Sequence, residues 1–232
     1  MAQQLLAHNS AQSLLNQRIV FADSLSVSLT RFIQSGSYAH VFEALNEATG
    51  DVLAVKCIVK QGLSPSSIEK QRFEAHVLTS LAASNTPHVI SVLAHSETRD
   101  YIFLLMTRYQ DDLLDLINDG SICASTSDVF VQICLAIEAC HALGVFHQDI
   151  KPENILINTH RGRIQACLSD FGLATTTAHP DTFGCGSISY TSPESLAGQD
   201  SGSTAESYSA RAQDAWSLAV LLFILITGYT PW

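Results

Sequence analysis

Residues 144–157, GVFHQDIKPENILI, place a carboxylate, an ammonium and an amide close together. Phosphoryl transfer needs such groups, because it is accelerated mainly by positioning the reactants and neutralising charge. Asp149 can accept the proton of an attacking hydroxyl, and Lys151 can neutralise the transferring phosphoryl group. Asn154 offers a neutral oxygen to a hard divalent cation such as Mg²⁺. The stretch therefore predicts a phosphoryl-transfer site.

Three further residues can complete such a site. Asp170, in SDFG, supplies another carboxylate after a short predicted strand and before a glycine that lets the chain turn. Lys56, in LAVK, lies on a strand that follows a predicted hairpin and can grip phosphate oxygens. Glu74 lies in the middle of a predicted helix, from which it can hold Lys56 by an ion pair.

The first part of the chain is predicted to consist of strands and one helix. LTRFIQ, AHVFEAL and DVLAVKCIV are predicted strands, and the turn NEATG joins the last two. The segment 64–83 predicts a helix that begins at a capping box of Ser66 and Glu69. Residues 89–106 predict two more strands around a polar turn.

The chain after Met106 has a different pattern. TSDVFVQICLAIEACHALG predicts a long buried helix that ends at Gly144, and short apolar runs with the turn THRG follow it. The most apolar run, SLAVLLFILITG, is shorter than the ~18–20 residues that span a bilayer, which favours a buried helix. These patterns predict an α+β fold with a boundary near residues 107–110.

Composition argues against two kinds of partner. The formal net charge is −10, with 12 Lys and Arg against 22 Asp and Glu, whereas nucleic acids and anionic membranes need clustered basic residues. The six cysteines have neither a C-x-x-C pair nor zinc-ligand spacing, which favours buried free thiols and a reducing compartment, the cytoplasm or nucleus. The N-terminus lacks the basic and apolar regions of a secretory signal.

In their order and spacing these motifs resemble a eukaryotic protein kinase over residues 33–232. The motifs are LAVK, the helical Glu74, HQDIKPEN, SDFG, SPE and DAWSLAVLLFILITGYTPW. In the alternative interpretation these are charged surface residues of an unrelated α+β fold. Each of their spacings would then need a separate explanation. The resemblance implies two lobes, an N-lobe at 28–106 with an antiparallel sheet and one helix, and a mostly helical C-lobe at 107–232. Residues 1–27 would form an N-terminal extension.

The resemblance also implies ATP and Mg²⁺ as cofactors and a role for each candidate residue. Asp149 would be the catalytic base with Lys151 beside it, and Asn154 and Asp170 would bind Mg²⁺. Lys56 would contact the phosphates and be held by Glu74. The other nucleotide-binding positions would be Ile33, Gly36, Val41, Ala54, Leu156 and the gatekeeper Met106, with residues 107–109 as the hinge.

The resemblance further implies a protein substrate with a serine or threonine acceptor. Lys151 in DIKPEN is similar to serine/threonine kinases, and Ser187 lies where those kinases use threonine to bond the catalytic aspartate and lysine. The C-terminal motifs are similar to fungal kinases near the calmodulin-dependent group. Asp112 lies where the family often has an acid near ribose or a basic substrate residue, although an aspartate that begins a helix explains it equally well.

The glycine-rich loop departs from the family pattern. Only Gly36 of its three glycines is present, because Gln34 and Ala39 replace the outer two. Glycine lets backbone approach phosphate closely, so we expect weaker nucleotide binding rather than none. This loop supports an alternative function, a pseudokinase that binds nucleotide or protein without turnover. The retained Asn154 and Asp170 favour the active enzyme.

Two other departures lead to hypotheses about regulation and stability. Gln148 replaces the arginine that in many kinases pairs with a phosphorylated activation segment, so activity should not depend on phosphorylation within residues 170–194. The chain ends at Trp232, before the C-lobe helices that would supply an arginine to Glu194. We therefore expect a C-terminally shortened domain of low stability.

Overall fold

A computed structural model describes residues 12–22, 25–36, 39–121, 125–197 and 206–232. The chain divides into two compact units, each with its own elements. Unit 1 comprises Met1–Ala82 and Ser91–Arg108, and unit 2 comprises Ala83–Ile90 and Tyr109–Trp232.

Unit 1 contains a six-stranded antiparallel sheet with the strand order β1-β2-β3-β4-β6-β5. This sheet and the helix that follows β4 confirm the predicted antiparallel sheet with one helix. Its strands are β1 (Arg18–Val20), β2 (Ser26–Ser35), β3 (Ala39–Leu45), β4 (Val52–Val59), β5 (Val92–Glu97) and β6 (Tyr101–Thr107).

One face of this sheet carries the hydrophobic core of unit 1. In β3 buried and half-buried residues alternate, so Phe42 and Ala44 point to the core with Val55 of β4. Residues before β2 also pack on this face, where Leu14 is 1% exposed. The leucine pattern of the N-terminus predicts a short helix, of which residues 12–14 are helical and residues 1–11 lie outside the described residues.

The helix of unit 1, α1 (Pro65–Ala83), begins two residues earlier than the predicted capping box implies. Ser64 is the capping residue, because its hydroxyl accepts a hydrogen bond of 3.1 Å from the backbone N–H of Ser67. Pro65 at the first helical position suits this start, since its missing N–H would have no partner there. The predicted capping role of Ser66 and Glu69 is therefore wrong, and Glu69 pairs with Arg72 instead.

Unit 2 combines helices with a small antiparallel sheet, β7 (Asp111–Asp112), β8 (Ile155–His160) and β9 (Arg163–Leu168). The predicted turn THRG joins β8 to β9, and Arg161 and Gly162 both adopt positive φ, as a two-residue hairpin turn requires. The helices are α2 (Leu113–Asn118), α3 (Thr126–Ala142), α4 (Pro193–Ala197) and α5 (Ala210–Thr227), with short 3₁₀ turns at Pro152–Asn154 and Ile188–Tyr190.

Helix α5 is long and apolar enough to cross a membrane by length and composition alone. Its buried residues nevertheless include Gln213, Asp214 and Ser217, all of which form hydrogen bonds within unit 2. Polar side chains that bond the loops around them indicate a core helix rather than a membrane span. The predicted buried helix thus reaches back to Ala210, and its other face exposes Phe223 and Ile226.

Candidate active site

In unit 1 the two residues predicted to form an ion pair do so. The Nζ atom of Lys56 lies 2.6 Å from Oε1 of Glu74, whose side chain is 2% exposed. The other carboxylate oxygen of Glu74 is buried and has no hydrogen-bond partner within the described residues. The pair fixes the lysine at the middle of β4, from which an ammonium can contact phosphate oxygens.

The register of the sheet places four predicted nucleotide-binding residues on one face. Val41 lies opposite Lys56 in β3 and β4, and Ala54 lies opposite Met106 in β4 and β6. Since residues two apart share a face, all four point away from the core that contains Phe42. Ala54 and Met106 are 6% and 8% exposed, which makes this face apolar beside the lysine.

The predicted glycine loop is described only at its ends. Ile33 lies in β2 at a register irregularity, and Gly36 donates a backbone hydrogen bond of 2.8 Å to Ala39. A Cβ on Gly36 would meet its nearest atom at 3.8 Å, so neither space nor backbone conformation requires glycine there. Gln34 is exposed, and Ser37 and Tyr38 lie outside the described residues.

In unit 2 the carboxylate of Asp149 receives four hydrogen bonds. Its Oδ1 atom accepts from the backbone N–H and the hydroxyl of Ser187, each at 3.0 Å. Its Oδ2 atom accepts from Nζ of Lys151 at 2.7 Å and from Nδ2 of Asn154 at 3.0 Å. These bonds fix the orientation of the carboxylate, as a group that must meet the hydroxyl proton of a substrate requires.

Lys151 and Ser187 are also joined directly, because Nζ of Lys151 donates a hydrogen bond of 2.8 Å to the hydroxyl of Ser187. The catalytic loop and the segment around Ser187 are therefore connected at one oxygen of Asp149, which accepts two hydrogen bonds, and at one nitrogen of Lys151. This is the contact that the family resemblance implies for a serine at this position.

Asn154 and Asp170, the predicted Mg²⁺ ligands, are connected through Ser169. The backbone N–H and the hydroxyl of Ser169 both bond the carbonyl oxygen of Asn154, at 2.8 and 3.0 Å. The amide nitrogen of Asn154 is occupied by Asp149, so its side-chain oxygen is the atom that can face a cation. Asp170 follows with a positive φ of 58°, a conformation that aspartate tolerates better than most residues.

This donor set fits Mg²⁺ bound together with phosphate. Within the described residues no group of three or more histidine, cysteine, aspartate or glutamate side chains could hold a metal ion alone. Mg²⁺ commonly takes one or two protein ligands and completes its octahedron with substrate phosphates and water. An amide oxygen of Asn154 and a carboxylate of Asp170 supply what such a site needs from the protein.

His147 holds the catalytic loop against the Asp170 segment. Its Nδ1 atom accepts a hydrogen bond of 3.2 Å from the backbone N–H of Asp149, and its Nε2 atom lies 2.9 Å from the carbonyl oxygen of Ser169. The carbonyl can only accept, so the proton of the neutral ring belongs on Nε2. The ring of Phe171 lies edge-on to the imidazole, with centroids 4.7 Å apart.

Asp214 of α5 is a site residue to which the sequence motifs assigned no role. It is fully buried, and its carboxylate accepts the backbone N–H groups of His147 at 2.9 Å and Gln148 at 2.8 Å. His141 of α3 lies 2.8 Å from the same carboxylate through Nε2. A single acid within the apolar run DAWSLAVLLFILI was the signal that could have indicated this role, because a buried charge needs several donors.

Leu156 and Asp112 lie beside each other in the small sheet of unit 2. Leu156 of β8 pairs with Asp112 of β7 and with Cys167 of β9. The Asp112 carboxylate caps α2 by accepting the backbone N–H of Asp115 at 3.0 Å, and burial raises its pKa. The structure therefore supports the helix-start explanation of this residue.

Tyr109 of the predicted hinge and Glu194 of the SPE motif both lie in unit 2. The hinge residue Tyr109 is buried, and this burial raises the pKa of its hydroxyl. Glu194 in α4 is exposed and forms no ion pair within the described residues, so its lack of an arginine partner leaves no buried charge.

Residues 27–232 match the protein kinase domain family. This chain belongs to that family. The predicted recognition is therefore confirmed at the level of the protein kinase domain.

The kinase domain has relatives among fungal and plant proteins. It is 32% identical over 235 residues to "Negative regulator of sexual conjugation and meiosis" of Schizosaccharomyces pombe, an alignment that covers 92% of this chain and 48% of that protein. It is 32% identical over 206 residues to CBL-interacting serine/threonine-protein kinase 24 of Arabidopsis thaliana, covering 87% and 44%. It is 33% identical over 213 residues to CBL-interacting protein kinase 9 of Oryza sativa, covering 88% and 44%.

The kinase domain is thus homologous to serine/threonine kinases over most of its length, and the chain spans less than half the length of these relatives. The finer placement near fungal calmodulin-dependent kinases stays a prediction.

Proposed function

We propose that this kinase domain transfers the γ-phosphate of ATP to a serine or threonine hydroxyl of a protein substrate in a Mg²⁺-dependent reaction. The observation that carries the proposal is the arrangement around Asp149, whose carboxylate is held by Lys151, Asn154 and Ser187 at 2.7 to 3.0 Å. A catalytic group that is fixed in this way needs little reorganisation during the reaction.

The residues of the chain have distinct parts in this reaction. The acceptor hydroxyl oxygen forms a bond to the γ-phosphorus, the bond from that phosphorus to the β–γ bridging oxygen breaks, and ADP leaves. Asp149 orients the hydroxyl and takes its proton, while Lys151 supplies positive charge beside the phosphoryl group. Lys56, held by Glu74, contributes the ammonium that contacts phosphate oxygens. Mg²⁺, when bound by Asn154 and Asp170, neutralises charge on the phosphates.

The direct test measures γ-phosphate incorporation into a generic basic protein with MgATP and, separately, MnATP. We expect transfer to serine or threonine, identified by phosphoamino acid analysis, and its loss in Asp149→Asn. That variant keeps the shape of the side chain but removes the base. Absence of incorporation by the unaltered domain under both metals, or transfer to tyrosine alone, would contradict the proposal.

The glycine loop favours a second candidate, a nucleotide-binding module without turnover. Gln34 and Ala39 stand where the family has glycines, and Gln34 is exposed at the end of β2. This candidate predicts that ATP with Mg²⁺ raises the melting temperature although no phosphate is transferred. Measurable turnover that Asp149→Asn abolishes would exclude it.

A further inference from the structure

Gln148, the residue directly before Asp149, is engaged by α5 and by the chain that leads into it. Its side-chain Nε2 atom donates to the carbonyl of Ala210 at 2.9 Å and to Oδ1 of Asp214 at 3.2 Å. Its Oε1 atom accepts a hydrogen bond of 3.0 Å from the hydroxyl of Tyr208. The residue is 2% exposed and has a φ of 67°, so these contacts hold it in a conformation that glutamine rarely adopts.

Tyr208 connects this amide to the segment that precedes Ser187. Its ring packs on the ring of Phe183 with centroids 5.5 Å apart, and its backbone N–H donates to the carbonyl of Pro180 at 3.2 Å. The backbone N–H of Ala210 donates to the carbonyl of Ala178 at 3.0 Å. Tyr208 is 6% exposed, so its ring and hydroxyl act inside the unit rather than at the surface.

The same segment rests on the backbone of Gln148 at Gly186. A Cβ at position 186 would lie 2.6 Å from the carbonyl oxygen of Gln148, and Gly186 has a φ of 93°. Ser187 then makes its two hydrogen bonds to Asp149. Residues 178–187 are thus held against the catalytic loop at Gly186 and Ser187, whereas Ala178, Pro180 and Phe183 contact Tyr208 and Ala210.

We propose that Gln148 and Tyr208 are positioning residues, which hold residues 178–187 against Asp149 through an uncharged link of Phe183 to Tyr208 to Gln148. The inference rests on the proposed function for its effect on turnover. The structural part of the inference, that the Tyr208 hydroxyl orders residues 178–187, does not depend on the proposed function. Because the link joins the amide of Gln148, the phenol of Tyr208 and the ring of Phe183, it needs no anionic group on the segment.

The first test measures the order of the segment and requires no enzyme activity. Hydrogen exchange is followed at the amides of Gly184, which bonds Ser195, and of Ser187, which bonds Asp149. Tyr208→Phe removes one hydroxyl and keeps the ring, so we expect exchange at these amides to accelerate about five- to tenfold, as the loss of one buried hydrogen bond implies. The matched control is Tyr229→Phe, at a tyrosine that is 77% exposed.

The second test measures turnover. Tyr208→Phe should lower kcat about five- to tenfold and leave KM for ATP unchanged, because the hydroxyl acts through Gln148 on the position of Asp149 and Ser187 and not on the nucleotide. Gln148→Glu should lower kcat further, since its carboxylate would face Asp214 and the Ala210 carbonyl without donors. Tyr229→Phe should change neither parameter.

The outcomes separate this inference from the proposed function. If the unaltered domain transfers no phosphate, the proposed function fails, and the exchange of Gly184 and Ser187 still decides the link. If Tyr208→Phe, folded as judged by circular dichroism, leaves that exchange and kcat like those of Tyr229→Phe, the link is overturned. Should Gln148→Glu not fold, Tyr208→Phe alone gives the answer.

Discussion

Ser187 donates two hydrogen bonds to the same oxygen of Asp149, one from its backbone N–H and one from its hydroxyl, each 3.0 Å long. The backbone bond fixes where the chain passes, and the hydroxyl bond depends on the side chain. Because Lys151 also donates to this hydroxyl, a single side chain contacts both catalytic candidates. A substitution of the Ser187 side chain therefore removes contacts with Asp149 and Lys151 but keeps the backbone hydrogen bond that fixes the path of the chain.

Ser187→Ala removes the hydroxyl contacts with Asp149 and Lys151 but leaves the backbone bond. We expect kcat to fall about 10- to 100-fold, because small displacements of catalytic groups cost this much. Ser187→Thr keeps a hydroxyl on the same carbon and should retain most of the turnover. The measurement is steady-state phosphate transfer at saturating MgATP, and equal rates for the two variants would contradict the role of the hydroxyl.

Gly186 should be intolerant of a side chain for a steric reason that another glycine of unit 2 lacks. Gly186→Ala would place a Cβ 2.6 Å from the Gln148 carbonyl, so the segment must shift and turnover should fall by about 100-fold or more. Gly162, in the hairpin turn, also has a positive φ but has open space around it. Gly162→Ala should cost only about 1–2 kcal/mol of unfolding free energy, the conformational term, and leave kcat unchanged.

Turnover should not depend on phosphorylation of residues 170–194. Gln148 carries no charge, and its amide is occupied by Ala210, Asp214 and Tyr208 rather than free to reach a phosphate. Domain treated with phosphatase, and shown by mass spectrometry to be unmodified, should keep the rate of untreated protein. A fall to background that returns after rephosphorylation would contradict this prediction.

The elements that were predicted well from the sequence are those in which the type or spacing of the apolar side chains is typical of a strand or a helix. The β-branched and aromatic residues of AHVFEAL predicted β3, and helical spacing predicted α1, because each element buries one face. The short strand β1 has only three residues and no period of its own, so nothing in its sequence separated it from an extension. The cap at Ser64 was missed because neighbouring serines offer the same hydroxyl.

The site was predictable to the extent that its residues lie in compact motifs. Asp149, Lys151 and Asn154 are close in sequence, and their hydrogen bonds follow from that proximity. Asp214 and Tyr208 contact Gln148 from 66 and 60 residues away, so no local pattern could connect them to it. Such partners are chosen by packing, which brings buried donors and acceptors together after the elements have formed.

His40 should make the stability of unit 1 depend on pH. It is buried on β3 between the rings of Phe32 and Phe42, opposite Cys57 of β4, with Nδ1 3.0 Å from the Ser35 hydroxyl. Burial lowers its pKa below the usual value of 6.5, so the unfolded chain takes up the proton first. The stabilising contribution is therefore complete above pH about 6.5 and is lost as pH falls, by at most about 1.4 kcal/mol per pH unit.

The check compares urea denaturation at pH 7.5 and 5.5 in two matched variants. His40→Leu should reduce the loss of unfolding free energy between these pH values. His95→Leu, at an exposed histidine of β5, should leave the loss as it is in the unaltered protein. An unchanged pH dependence in His40→Leu would show that other groups account for it.

The two ends of the Lys56–Glu74 pair should respond unequally to substitution. The lysine side chain is 17% exposed and the glutamate 2%, and one oxygen of the glutamate has no partner within the described residues. Lys56→Met leaves a buried carboxylate without its cation, which should lower the unfolding free energy by about 3 kcal/mol. Glu74→Gln keeps an acceptor for the partly hydrated ammonium and should cost about 1 kcal/mol.

Urea denaturation of both single variants and of Lys56→Met/Glu74→Leu measures this asymmetry. The double variant should be more stable than Lys56→Met alone, because removing the carboxylate removes the buried charge. Arg72→Met, which breaks exposed ion pairs with Glu97 and Glu69, should destabilise the protein much less than Lys56→Met. If Lys56→Met and Glu74→Gln lose equal unfolding free energy, or if the double variant is less stable than Lys56→Met, burial of Glu74 does not decide the energetics of the pair.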